Sequence, residues 1–449
     1  MSETQIEQLQ FSQVDRKILD TLVRPGRVYW TFAALLFVGV LYGYSFVWPY
    51  QILTGMGSAG YRPPVLWGAY LVNFVFWIGI AHSGTLISAI LFLFRARFRT
   101  TISRSAEAMT VFAVIIAALF PIIHLGRPWV FYWIIPYPNQ RTLWPDFQSP
   151  LIFDFLAVGT YMTASILFWY TGLVPDFATA RDRMTGLRKK IYGLFSLGWS
   201  GTDRQWHHYG MSYLMLAALC TPLVISVHSV VSWDFALAII PGYHSTIFPP
   251  YFVAGAIHSG LAMVLTLLIP LRRLLHLESV IMIGTLEKVA KTSIMMGLIV
   301  AYAYVVEPFV AWYSGNVFER QTFMFRVTGY YAPLFWIMAF CNAVAPLFFF
   351  RKSVRTNPVW LFTIAILINI GMWMERFVII CGSMARDYLP YSWGDYWPNW
   401  VDWSITFGSF CLFFLLFLLF VRFLPSIAIT ELKEETGAPV RPKEESRGG

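Results

Sequence analysis

The feature that most constrains this fold is a series of ten apolar stretches, each long enough to cross a bilayer as a helix. A spanning helix needs about 20 mostly apolar residues. Charged and turn-forming residues separate the stretches, as in RARFRTTISR and YHSTIFPP. The sequence therefore predicts an all-α integral membrane protein with ten transmembrane helices, numbered spans 1 to 10 and placed near residues 29–49, 65–94, 106–133, 151–172, 209–233, 251–271, 287–313, 331–350, 358–381 and 403–424.

The composition supports this prediction. Hydrophobic residues make up 57% of the chain and charged residues 13%, whereas soluble domains are about 25% charged. The polar, acidic start MSETQIEQLQ does not fit a signal peptide and predicts a short helix near the membrane surface. The cysteines are widely spaced and form no CxxC pair, which argues against a metal site, an iron–sulfur cluster or disulfides: Cys220, Cys341, Cys381 and Cys411.

The positions of Lys and Arg predict the orientation. If both termini are cytoplasmic, 26 of the 33 basic residues lie on the inner side, with Arg376 inside a span. The other six lie outside: Arg62, Arg127, Arg141, Arg320, Arg326 and Arg386. This bias follows the positive-inside rule. The net charge of +9 is thus explained by topology, and no nucleic-acid partner is expected.

Two segments of the chain repeat a motif. IAHSGTLISAILFLFR (80–95) and AIHSGLAMVLTLLIPLR (256–272) share His-Ser-Gly and an apolar run that ends in Arg, and a span opening with Glu107 or Glu287 follows each copy. Four spans separate the copies, so the two halves point the same way. We predict two parallel-repeat four-helix bundles flanked by spans 1 and 10. The predicted segments are a cytoplasmic N-terminal segment (1–28), span 1 with its outer loop (29–64), the first bundle (65–250), the second bundle (251–381), an outer loop with span 10 (382–424) and a disordered cytoplasmic tail (425–449).

Ionisable residues inside the spans are functional candidates, because burying a charge in lipid costs at least a few kcal/mol. His124 and Arg127 lie at the outer end of span 3, in FPIIHLGRPWVFYW, and Asp154 lies about one turn into span 4. His124 and Asp154 share a depth, so they could hydrogen-bond the two oxygens of a quinone and accept its protons. The alternative is a His–Asp pair that ties two helices together, with Arg127 reaching the headgroups.

Further histidines and acids extend this set. His228 and Asp234 end span 5 at the outer side, where they could extend the quinone site, carry protons away or be satisfied by interfacial water. His82 and His258 lie deeper and fit either a proton path or hydrogen bonds between closely packed helices. Haem is not expected, because each bundle holds one such histidine and no stacked pair.

Glu375 and Arg376 lie deep in span 9. Neighbouring helical residues point about 100° apart, which predicts that each pairs with another helix. Glu307 of span 7 is the expected partner of Arg376, in a structural ion pair or, alternatively, a gated proton relay.

Ten spans, HLGRPW and the doubled HSG resemble the NrfD/polysulfide reductase family of membrane subunits. Within that family, the intact His124–Asp154 pair resembles most the quinol-binding ActC subunit of bacterial alternative complex III, rather than its paralogue ActF. The resemblance implies a multi-pass protein of the bacterial inner membrane that binds quinol or menaquinol at the periplasmic face and holds no haem, cluster or metal itself. His124 and Asp154 are then the quinol ligands and proton acceptors, near Arg127, His228 and Asp234.

The same resemblance implies partners and a proton path. The expected partners are a periplasmic iron–sulfur subunit, multihaem cytochrome c subunits, a paralogous NrfD-like membrane subunit, lipids and a terminal oxidase. Candidates for proton transfer are His82, His258, Glu307, Glu375 and Arg376. Two rival interpretations are a secondary transporter, which paired broken helices would favour, and a structural anchor without a quinone site.

Overall fold

The computed structural model describes residues 18–20, 22, 26–134 and 148–435. Within these ranges the chain is helical, without a β-strand, so the predicted all-α class and ten spans are confirmed. The predicted surface helix of the first residues lies outside the described chain, as do residues 135–147. The spans are Arg27–Thr54, Ala69–Leu93, Ser103–His124, Pro150–Arg183, Asp203–Ala236, Phe248–Leu274, Ile283–Tyr313, Ala332–Phe350, Pro358–Met384 and Trp400–Phe423.

An even number of spans puts the start of span 1 and the end of span 10 on one side, here called the terminal face. The opposite side is the loop face. Span 3 ends at His124, earlier than predicted, because Gly126 adopts a φ of 69° that stops the helix. Pro121 lies within this helix and does not end it.

The spans pack in two groups of four. Spans 2 to 5 contact one another in a ring, spans 6 to 9 form a second ring, and span 6 packs on spans 2 and 5 where the groups meet. Span 1 packs on span 10, which contacts spans 2 and 3. The HSG-bearing spans 2 and 6 are thus the central helices. The repeat symmetry between the groups, and the predicted segment bounds, stay predictions.

Small residues allow the central helices to approach closely. A methyl group at Gly84 would collide with the carbonyl of Ala106 in span 3, and one at Gly260 would collide with Ser83 in span 2. Lipid offers little hydrophobic force between helices, so association depends on such close packing and on hydrogen bonds. The HSG motif therefore places a glycine at a helix contact in both groups.

The end of the described chain is ordered. Helix Ile429–Glu435 follows span 10, Ile427 and Leu432 are fully buried, and Glu431 forms a 3.1 Å ion pair with Arg99. The prediction of a disordered tail from residue 425 is therefore wrong for 425–435, because apolar burial and this ion pair hold the segment. Residues 436–449 lie outside the described chain.

Candidate functional site

His124 lies at the loop face of the first group. It is half-buried at the end of span 3, its ring centroid is 5.5 Å from that of Tyr61, and its Nδ1 is buried without a hydrogen-bond partner. Arg127 is exposed just beyond it. One ring nitrogen of His124 therefore makes no hydrogen bond within the described chain.

Asp154 of span 4 pairs with Asp234 of span 5. Each is 6% exposed, and their carboxyl groups lie close enough to interact. Two buried carboxylates at close range repel each other, so such a pair favours a state in which one of them holds a proton. In each residue, Oδ1 is buried without a partner. Both aspartates were candidates from the sequence, but their proximity to each other was not predicted. That His124 and Asp154 bind one ligand together stays a prediction.

A tyrosine cluster stands behind His124 and was missed from the sequence. The Tyr61 ring packs on Tyr70 and Tyr396, with centroids 5.6 Å away in each case. Tyr70 donates to Gln51 at 2.7 Å, and Tyr396 donates to the fully buried Asp402 at 2.9 Å. Burial, aided by Asp402, raises the pKa of Tyr61 well above its usual value, so Tyr61 stays a neutral hydroxyl.

These residues come from the starts of spans 2 and 10, the end of span 1 and two loops, so no periodic pattern linked them. The sequence NWVDW could have pointed to Asp402, because its Asn399 and Asp402 form a capping box at the start of span 10.

Two of the predicted histidines meet in the membrane interior. The ring of His82 stacks on Tyr161 at 4.8 Å and meets the ring of His228 at 4.8 Å. Both ring nitrogens of His228 are buried without a partner. His228 lies about 9 Å along span 5 from Asp234, at 1.5 Å per residue, so the structure groups it with His82. His258 lies apart, with Nδ1 3.3 Å from the hydroxyl of Ser293.

The predicted pair of Glu307 and Arg376 is wrong. Arg376 pairs with its neighbour Glu375 at 2.8 Å, because both long side chains can bend toward each other. Glu307 pairs with Arg326, which lies on helix Val317–Thr328 between spans 7 and 8 and is buried.

Glu375 has further partners within the second group. Tyr304 donates to it, and the amide of Asn342 lies 3.3 Å from its Oε2. Asn342 belongs to a π-helical turn, Phe340–Val344, that interrupts span 8. Such turns often occur where a side chain must be redirected at a functional position. Here the turn brings an amide to a buried ion pair.

Two sizeable cavities open at opposite faces. A cavity of about 260 Å³ at the loop face of the second group is lined by residues that include Glu307, Glu319 and Arg326. A cavity of about 660 Å³ at the terminal face of the first group is lined by residues that include Arg99, Tyr213 and Glu431. Neither cavity is lined by His124 or Asp154. Among the described residues, no group of three or more His, Cys, Asp or Glu could hold a metal ion.

Comparison with known proteins gives a consistent result. The family described as "Polysulphide reductase, NrfD" matches residues 57–386. A protein of Halobacterium salinarum, provisionally named as a membrane subunit of dimethyl sulfoxide reductase, is 26% identical over 377 residues, which cover 83% of this chain and 80% of that protein.

Two further relatives match over shorter lengths. A selenate reductase subunit of Mesobacillus selenatarsenatis is 25% identical over 48% of this chain and 51% of its own length. The integral membrane subunit of menaquinone reductase from Nitratidesulfovibrio vulgaris is 32% identical over 26% of this chain and 28% of its own length. All three relatives are named as subunits of reductases.

Proposed function

Because this chain belongs to the NrfD polysulphide reductase family, we propose that it is the quinol-oxidising membrane subunit of a respiratory oxidoreductase complex. The chain is a multi-pass membrane protein, and its relatives are named as subunits of reductases, one of them a menaquinone reductase. Membership of an oxidoreductase complex follows from these relatives. Quinol as the substrate, menaquinol in particular, is our inference.

The observation that carries the proposal is the set of proton acceptors at the loop face. Oxidation of one quinol releases two electrons and two protons. The neighbouring carboxyl groups of Asp154 and Asp234 can take up one proton, and the unpartnered Nδ1 of His124 can accept a hydrogen bond or the second proton. We infer that quinol binds between these groups, with the tyrosine cluster as one wall and Arg127 at the rim.

Electrons leave the quinol toward a partner. We propose that an iron–sulfur subunit docks on the loop face and passes electrons to multihaem cytochromes and onward to a terminal oxidase, as in alternative complex III. Exposed aromatic side chains next to His124, among them Trp129, Phe131 and Trp133, suit such a contact. A paralogous membrane subunit and lipids would cover the outward-facing spans.

The orientation belongs to this proposal. The terminal face holds most of the basic residues, so it is assigned to the cytoplasm of a bacterial inner membrane. The loop face is then periplasmic, and protons from quinol are released there. The contact of His82 with His228, and the pair of Glu375 and Arg376, supply polar groups through which protons could move between the two groups of helices.

The test is quinol oxidation by the purified complex carrying His124→Ala or Asp154→Asn. We expect turnover to fall by about 100-fold or more, as for loss of a general base, while a chemical reductant still reduces the partner redox centres. His207→Ala and Asp182→Asn are the matched controls, because both residues are exposed at the terminal face, and they should keep wild-type turnover. Unchanged turnover in both site variants, with all subunits assembled, would refute the site.

A further inference from the structure

The terminal-face cavity of the first group leads from the surface to buried charge. Its volume of about 660 Å³ is far larger than the roughly 30 Å³ that a water molecule occupies in the liquid. Its walls are formed by the terminal-face ends of spans 4 and 5, the segment around Trp199 and the tail helix Ile429–Glu435. Exposed or half-buried charged side chains line its mouth: Arg181, Asp182, Asp203 and Lys433. Water therefore reaches its floor.

A cluster of five ionisable side chains lies against that floor. Arg104 binds Glu107 at 2.7 Å and Asp176 at 3.1 Å, and Arg99 binds Glu431 at 3.1 Å. Each of the five is at most 8% exposed. The members come from spans 3 and 4, the segment between spans 2 and 3, and the tail helix. The cluster therefore joins four separate parts of the chain.

The charges of this cluster do not balance. Two guanidinium groups face three carboxyl groups, so the fully ionised cluster carries one net negative charge. An uncompensated buried charge costs several kcal/mol. Binding of one proton to a carboxylate makes the cluster neutral. The composition of the cluster thus favours a state that holds one exchangeable proton.

Glu107 is the carboxyl group best placed to hold that proton. Asp176 accepts from Arg104 and from both the amide and the hydroxyl of Thr430. Glu107 has one cationic partner, and its other oxygen accepts from the hydroxyl of Tyr213 at 2.8 Å. A hydroxyl can reverse its role and accept a hydrogen bond from a protonated carboxyl group.

Tyr213 connects Glu107 to water. Its ring is fixed between Phe168, at a centroid distance of 4.6 Å, and Tyr209, at 5.7 Å, and Tyr213 lines the cavity. On the other side of Tyr213, toward the membrane interior, lies a packed layer that includes Ala89, Ala164, Ala217 and Cys220. The Tyr213 hydroxyl therefore links Glu107 to the terminal face, and the packed layer separates both from His82.

We propose that Glu107 is a proton-binding site that exchanges its proton with the terminal-face cavity through Tyr213. A proton from cavity water adds to the Glu107 carboxylate and neutralises the cluster, and its return to water restores the negative charge. The titratable and charged groups around Glu107 are Arg104 on its own helix, Arg99, Asp176, Glu431, Tyr209, Tyr213 and Cys220. The site goes beyond the proposed quinol chemistry, since neither His124 nor Asp154 takes part.

The test is infrared difference spectroscopy of the complete complex, without quinol, on a change of pH. The wild type should show the carbonyl stretch of a protonated carboxyl group that Glu107→Gln removes. Glu287→Gln is the matched control, because Glu287 occupies the corresponding position of the repeat but pairs with the exposed Lys291; its spectrum should match the wild type. Identical titration in wild type and Glu107→Gln would overturn the proposal.

A second variant, Tyr213→Phe, keeps the Glu107 carboxyl group and removes the hydroxyl that links it to the cavity. Tyr213→Phe should leave the Glu107 band present but slow its hydrogen–deuterium exchange several-fold after the terminal-face medium is changed to D₂O. Unchanged exchange would also overturn the proposal. If Glu107→Gln does not assemble, labelling of the native complex with a hydrophobic carbodiimide, which modifies protonated carboxyl groups, decides: labelled Glu107 supports the site and unlabelled Glu107 overturns it. These measurements need no turnover, so they are independent of the quinol site.

Discussion

The two groups of four helices carry the same HSG motif, but their cavities, each lined by an ion pair, open at opposite faces. In the first group, the ion cluster around Arg104 and the larger cavity lie at the terminal face, and a carboxyl pair lies at the loop face. In the second group, the Glu307–Arg326 pair and its cavity lie at the loop face. Similar helices thus carry different polar sites, and the likeness of the groups does not extend to their chemistry.

The two HSG histidines show the cause of this difference. His82 meets His228 of span 5, whereas His258 meets the hydroxyl of Ser293. Span 9, which corresponds to span 5 in the predicted repeat, carries Glu375 and Arg376 instead of a histidine. The neighbour, and not the motif, therefore determines what each histidine can do.

The largest expected effect on stability distinguishes two ion pairs, Arg104–Glu107 in span 3 and Lys291–Glu287 in span 7, which follow the HSG-bearing spans 2 and 6. Arg104→Ala leaves Glu107 and Asp176 buried without their cation and should lower the free energy of unfolding by about 3–5 kcal/mol. Lys291→Ala removes a pair in which the lysine side chain is 55% exposed and should cost about 0–1 kcal/mol. Thermal unfolding of the purified complex in detergent measures both. Equal losses would show that the terminal-face cluster is not a buried network.

An intermediate effect on stability is expected for substitution of the two HSG glycines, Gly84 and Gly260. At Gly84 a methyl group would lie 2.2 Å from the backbone carbonyl oxygen of Ala106, whereas at Gly260 the nearest backbone oxygen, that of Ile80, is 2.9 Å away and the closer obstacle is the Ser83 side chain. Gly84→Ala should therefore cost about 1–3 kcal/mol and Gly260→Ala less. The same unfolding assay ranks them, and a larger loss for Gly260→Ala would contradict the packing described for span 2.

The smallest effect concerns pH and the loop-face cavity of the second group. Burial raises the pKa of Glu319, on the connecting helix outside the spans, although the Gly242 amide and Arg326 oppose the shift. Folding then favours its protonated form, so this contribution to stability is present below the ordinary pKa of Glu and is lost as pH rises through the raised pKa. Glu319→Gln should flatten the dependence of the unfolding midpoint on pH in that window. An unchanged slope would refute this.

The fold could be predicted to a large extent because span length and hydropathy are local properties. Ten runs of suitable length gave ten helices, and HSG marked the two central ones. The end of span 3 was misplaced because the positive φ of Gly126, which ends the helix at His124, is not visible in hydropathy. The tail helix was not predicted because its sequence is rich in charged residues, although its apolar side is buried against spans 3 and 4.

The site was predictable by residue type but not by partner. The cost of a charge in lipid singled out Asp154, Asp234, Glu375 and Arg376. Their partners depend on which helices meet and on where long side chains bend, so Asp154 was not matched with Asp234, nor Arg376 with Glu375. Tyr61, Gln51 and Asp402 were missed because loops and distant spans bring them together.

The measurement that most directly tests the central claim is photo-crosslinking of a quinol analogue to the purified complex, followed by peptide mapping. We expect labelled peptides around His124 and Asp154 at the loop face of the first group, with labelling reduced by Asp154→Asn and retained in Asp182→Asn. Labelling confined to peptides around Glu307 and Glu319 in the second group would contradict it.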